Sequence, residues 1–426
     1  MHEFSPATGE NLELSGISRR AVRHDILEFP ARVVARAVKI LKRPCGEKTQ
    51  LNRNNLPFQD CMKVSRPVSM GFSSQKPLDT GATDMASLAV FIGIDYHQNS
   101  IQVCVMDQNA KVLGNQSMPS DVRCVQNYLK NWIGQNLRVE RVAVEMCCGA
   151  ATFVDKLKAE THWNVQLAHA GFVSRMKQTR QKSDHADALV LADLARVDYV
   201  PQVWLAPEEI RQLRHLVRLR DQHVKYRTAA KLRIRALLRE QRLRSPEKPW
   251  TKSWFHWLKS TDEIAKPSHF ILKDHLETIE YHTKKIQSVE KFLTEITQDD
   301  LVTKKLLQQP GVGPVTAWTL RAEIGDFDRF ANGKQLASFC GLAPCNISSG
   351  EKQSTSGLIR SGNRILRKTL IEAAHRLARH EVRWRTFYQH LVEEKHKPKC
   401  VAAAAIANRW MRCLFHEMKT PLAVAA

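Results

Sequence analysis

No run of about 18 consecutive apolar residues occurs anywhere in the sequence, so no membrane-spanning helix is expected. Its ten cysteines, at 45, 61, 104, 124, 147, 148, 340, 345, 400 and 413, contain no CxxC spacing. They read as reduced cytosolic thiols, with neither a zinc site nor a disulfide framework. The first thirty residues have no apolar core segment and mix Glu3, Glu10, Glu13, Asp25 and Glu28 with arginines, which is not the pattern of a signal peptide. The histidines, His185 included, show no metal-ligand spacing.

The chain does have length, apolar content and positive charge. Its 426 residues at 43% hydrophobic content predict two or three units, each with a core of its own. A formal net charge of +22 creates a surface field that favours polyanions, nucleic acid being the commonest. Charge alone accommodates a solubilising surface or a ribosome-associated protein equally well.

Texture then divides the chain. Residues 1–86 show no sustained period apart from a short basic amphipathic piece over 26–42. They are expected to be an extension, disordered or lying ahead of a start at Met85. Within 87–204, LAVFIGID has a continuous apolar run and predicts a strand covered on both faces, ending in Asp95. SIQVCVMD and KVLGNQSM, joined by a polar turn at Gln108 and Asn109, complete an antiparallel meander. DVRCVQNYLKNWIGQ reads as a helix with Val122, Val125, Leu129 and Ile133 on one face, and RVAVEM as a buried strand ending in Glu145. A helix over about 151–160, the segment NVQLAHA and a helix in KSDHADALVLADLARV follow. This is the α/β order of an RNase H-like mixed sheet.

Strand-end carboxylates in an open α/β sheet can reach one crevice. Asp95 and Glu145 are so placed, and Asp184 and Asp187 share a face at the start of a helix. Singly, each acid is more often a turn or cap residue than a metal ligand. Together they would repel unless compensated, and divalent cations supply the compensation: Mg²⁺, with Mn²⁺ as a substitute, takes carboxylate and water oxygens and can clamp a phosphoryl transfer.

The motifs FIGID, VAVEM and KSDHADA resemble the acidic motifs of the DEDD transposases, the insertion-sequence family numbered one-ten with its eleven-eleven subgroup. A second block, from LLQQPGVGPVTAW through CGLAPCNISSGEKQSTSG to IRSGNRILRKTLIEAAH, is similar to that family's C-terminal transposase domain. The resemblance runs from about residue 88 onward. It implies an RNase H-like domain of the Holliday-junction-resolvase type, catalysis by Asp95, Glu145, Asp184 and Asp187, and a serine that attacks DNA. That serine is assigned to Ser349, with Ser348 as its neighbour and alternative. The resemblance further implies DNA at element ends and target, a noncoding guide RNA, a homodimer or tetramer with a composite site, and a bacterial, nucleoid-associated location in the cytoplasm. A serine hydroxyl in a Gly/Ser loop is by itself ordinarily a loop residue.

Basic segments supply candidates for nucleic-acid contacts. Gly311 and Gly313 in PGVGP suit a helix-hairpin-helix-like turn or a plain inter-helix turn. Lys352, Arg360, Arg364, Arg367 and Lys368 suit phosphate contacts or a solvated helix face. Between the two motif blocks, 205–300 predicts a long basic helix, a break over 245–260 and a second helix with coiled-coil spacing from Leu272 to Ile296. These two helices could form an intramolecular hairpin or join protomers. Trp250, Trp254 and Trp257 suit packing before base stacking, and the helical tail near 401–418 suits core packing. The C-terminal domain, 301–426, is thus expected to be mainly helical. Two rivals to a transposase stand: a junction-type structure-specific endonuclease, and an inactive nucleic-acid-binding relative.

Overall fold

Extended runs of β-branched residues give the first layer of the protein. In a computed structural model, which describes residues 87–133, 136–176, 183–261, 264–347 and 355–420, they build a six-stranded mixed sheet. The expectations for residues 1–86, Ser348, Ser349 and Lys352 lie outside the described residues. Strands β1 (Leu88–Tyr96), β2 (Ser100–Asp107) and β3 (Val112–Pro119) form the meander. β4 (Leu137–Glu145) and β5 (Val165–Ala168) add parallel strands, and β6 (Gln202–Val203) closes the edge antiparallel, giving the order β3-β2-β1-β4-β5-β6.

Helices cover both faces, which is why the β1 run does not alternate. Val90, Ile92 and Ile94 pack with α1 (Val122–Tyr128) and α2 (Ala150–Thr161) through Val125, Phe153 and Leu157. α1 continues into a wider π-helical turn over Leu129–Ile133. The short α3 (Ala170–Met176) follows β5, and α4 (Asp184–Arg196) lies on the opposite face against Phe91, Ala143, Cys104 and Met106. Burial there pushes the Cys104 thiol up to about 11, so it is a core thiol.

The middle of the chain is an intramolecular hairpin of α5 (Glu208–Glu240) and α7 (Lys266–Thr297). Its antiparallel sense follows from Arg220 pairing with Glu290 at 2.7 Å and His223 meeting His282 at 3.0 Å. The break expected over 245–260 is only partly a break, because it contains α6 (Lys252–Ser260). Thr251 caps this helix by accepting from the Trp254 backbone N–H, and Trp254, 1% exposed, joins Ile234, Leu258 and Leu272 in a cluster at the hairpin tip. Packing is therefore the role of Trp254.

The C-terminal part is mainly helical: α8 (Leu301–Leu307), α9 (Pro314–Ile324), α10 (Gly333–Phe339), α11 (Arg364–His380), α12 (Val382–Gln389) and α13 (Lys399–Lys419). A small hairpin of β7 (Pro344–Asn346) and β8 (Thr355–Leu358) interrupts them. Leu320, Leu336, Leu370, Ile406, Trp410 and Leu414 lie in one core, so the tail helix packs as its composition suggests. Buried Glu323 binds the hairpin to this part. Arg218 grips it through a fork at 2.9 and 3.0 Å, and Asn363, which also caps α11, donates to it at 2.8 Å.

Candidate functional site

Side-chain alternation decides where the strand-end acids point. On β1, Phe91 and Gly93 face α4, and so does Asp95 two residues on. On β4, Ala143 faces α4 and Glu145 shares its parity. Ile94 pairs with Val144 in parallel register, so the two acids follow at one level of adjacent strands. Ser183 starts α4 by accepting from the Ala186 N–H at 3.2 Å, which places Asp184 and Asp187 in its first turn. Negative charge is favourable there.

Gly93 permits the approach. A Cβ at this position would lie 2.1 Å from the Ala188 carbonyl oxygen and 2.3 Å from the Ala192 nitrogen, both backbone atoms of α4. With hydrogen alone on Cα, the helix lies directly on β1 and brings its first turn over the strand end.

The result is a cavity of about 810 Å³ lined by Asp95, Glu145, Asp184 and Asp187 together. Asp95 is nearly buried, whereas the Asp184 side chain is 65% exposed. His97, not singled out by spacing, completes the group. Its Nε2 lies 3.4 Å from Asp95 Oδ2 and 3.7 Å from Asp184 Oδ2, and ligand atoms of the three lie within 4.8 Å of one another. The local field is negative: burial first, then the charges of Asp95 and Glu145, push the Cys147 thiol on the cavity wall above its ordinary value. The cluster of Asp95, His97 and Asp184, with Glu145 and Asp187 on the same cavity wall, has the donor chemistry of a divalent-cation site.

The expected basic contacts are scattered by comparison. Arg360 and Arg364 are exposed. Arg367 donates to the carbonyls of Gly341, at 2.8 Å, and Ile359, and Lys368 pairs with Asp221 on α5 at 3.3 Å. Those two ions brace the fold, whatever else they touch. PGVGP does join two helices. Gly311 has φ +78° and a Cβ there would strike Leu377 at 2.6 Å, while the Gly313 cap at the start of α9 faces open space.

Comparison with known proteins agrees with this layout. Residues 92–242 match the DEDD transposase model of the IS110 type, and residues 303–389 match the model described as transposase IS116/IS110/IS902 family. The chain is 25% identical over 300 residues to the transposase of insertion sequence element IS1111A from Coxiella burnetii, covering 68% of this chain and 78% of that one. It is 24% identical over 299 residues to the IS1533 transposase of Leptospira borgpetersenii, covering 67% and 84%. Against y4qE of Sinorhizobium fredii, also named as a transposase, identity is 28% over 204 residues, 47% of this chain and half of the relative's length.

Proposed function

Because the chain belongs to the IS116/IS110/IS902 family of transposases, we propose that it exchanges DNA strands at the ends of an insertion sequence by metal-dependent phosphoryl transfer. The convergence of Asp95, Glu145, Asp184 and Asp187 on one cavity, from two strands and a helix, supports this reading most directly. These acids would hold Mg²⁺ or Mn²⁺, with His97 beside Asp95 and Asp184. Bound there, divalent ions supply charge neutralisation and Lewis acidity to a phosphodiester.

The protein's own groups do the rest. β1 and β4 fix Asp95 and Glu145, α4 supplies the other two acids, and Ser349 is the nucleophile. Its Oγ attacks phosphorus, the bond from phosphorus to a deoxyribose oxygen breaks, and that oxygen leaves with a proton. The phosphodiester bond energy is kept in the serine link, ready for attack by the hydroxyl of a new strand. Every residue lining the acid cavity falls between 95 and 187, whereas β7 and β8, which flank Ser349 in sequence, belong to the C-terminal part. This agrees with a site completed by a second protomer of a dimer or tetramer. A noncoding guide RNA is the further partner, and basic α5 is its proposed seat.

Incubation with flanking element DNA, the noncoding RNA and Mg²⁺ tests the reading. Recombined junctions and a serine–DNA adduct are expected, and Ser349→Ala should lose both while still binding Mn²⁺. Simple strand hydrolysis that persists in Ser349→Ala would instead identify a structure-specific nuclease.

A further inference from the structure

Helix α13 uses two faces. One is core: Ala403, Ile406, Ala407, Trp410, Met411 and Leu414 are buried. The opposite face lines a separate groove of about 1100 Å³, walled by α12 and by the β7–β8 hairpin. Along that face the chemistry changes end to end. Val401, Ala404 and Ala405 give an apolar floor near the helix start, and Arg409, Arg412 and His416 give a basic stretch near its end.

Arg383 adds another cation from α12, and the Arg409 guanidinium lies 5.0 Å from the centre of the Phe387 ring. Asn408 donates its amide to the Leu342 carbonyl at 3.0 Å, tying the helix to the chain just ahead of β7. Among the described residues no carboxylate lines the groove. An apolar floor beside several cations, with no carboxylate among the described lining residues, suits a ligand that is flat and apolar on one side and anionic on the other.

We propose that this groove binds a single DNA strand, with one or two unstacked bases on the Val401–Ala405 floor and the Phe387 ring, and their phosphates on Arg409, Arg412 and Arg383. A single strand presents both surfaces at once, whereas a duplex presents phosphates and keeps its base faces stacked. The volume exceeds that of an ordinary small-ligand pocket, which runs to roughly 1,000 Å³, and so admits more than one nucleotide. Small side chains at 404 and 405 let a ring approach the helix backbone closely. The inference rests on the reading of the chain as a DNA-strand enzyme but is independent of the acid cavity.

The test is fluorescence anisotropy of the full chain with a labelled single strand of about twelve nucleotides, a length within common site sizes. It is done in chelator and repeated with Asp95→Asn, so that binding is read without chemistry. Arg409→Ala/Arg412→Ala should weaken binding and flatten the salt dependence, by roughly 0.7 in logarithmic slope per lost phosphate contact. Val401→Glu, at a half-exposed position, should cost roughly tenfold on the single strand by putting a hydrated carboxylate where the base is to lie. Duplex affinity should be unchanged in Val401→Glu. Unchanged single-strand affinity and slope in both variants would overturn the proposal. So would tighter binding of an RNA of the same sequence with the same losses, or a changed oligomeric mass with DNA binding intact. If the variants lose binding while the native chain yields no Mg²⁺-dependent products, the groove stands and the reading of the acid cavity falls.

Discussion

The His97 imidazole lies 3.4 Å from Asp95 Oδ2 and 3.7 Å from Asp184 Oδ2, and its removal takes one ligand atom from that group. Partners of metal-binding groups typically carry 10–100-fold in affinity, so His97→Ala should weaken Mn²⁺ binding by about that factor in titration calorimetry. Its melting temperature should stay put, because the side chain is half exposed. Native affinity in this variant would reduce His97 to a bystander. The four acids were legible in the sequence because each ends a strand or begins a helix, positions that pattern reveals. His97 was not, since a histidine two residues past a strand-end aspartate matches no ligand motif; it stands at the turn from β1 into β2, where its backbone N–H donates to the Ser100 carbonyl at 2.9 Å. Charge alone made Arg367 and Lys368 read as phosphate binders; the fold also gives Arg367 the carbonyls of Gly341 and Ile359 and gives Lys368 the carboxylate of Asp221, 147 residues away and beyond any local pattern.

At the scale of elements, the contact of α4 with β1 determines how the acids meet. Gly93→Ala would force a methyl into the α4 backbone, where neither partner is a movable side-chain end. Overpacking of this kind costs about 1–3 kcal/mol or more. A chemical-denaturation midpoint should fall accordingly, and Mn²⁺ affinity should fall with it because α4 carries Asp184 and Asp187. Normal stability with normal affinity would show that the helix has room to move. The long elements were readable: the meander, the strand ending in Glu145, and both hairpin helices follow clear periods. β6, β7 and β8, of two, three and four residues, are too short to show one. α6 was hidden behind Pro246 and Pro249 and a cluster of aromatics, and its helix is secured by tertiary burial of Trp254 and Leu258. The spacing of α7 declared an apolar face without saying which helix would cover it; here that helix is α5.

For the molecule as a whole, Trp204 links the sheet to the helical C-terminal part. The Arg329 guanidinium lies 4.6 Å from the centre of its ring and also stacks on Phe330 and Phe339. Burial, then the nearby Arg214 charge, lower its pKa to about 10. Gly325, at φ +73°, leaves space for the same indole, which a Cβ would meet at 2.3 Å. Trp204→Ala should therefore split calorimetric unfolding into two transitions where one is expected of the native chain, since large-to-small changes at a packed aromatic cost up to about 3–5 kcal/mol. A single cooperative peak in the variant would assign the coupling to Glu323 and its arginines instead. The α5–α7 hairpin starts from this junction, where Leu213, Val217 and Leu293 pack on Trp318, and ends at the Trp254 cluster about 30 Å further along the helix. It has the proportions of a lever: a force on its far end would act with a long moment on the small junction between the sheet and the helical C-terminal part.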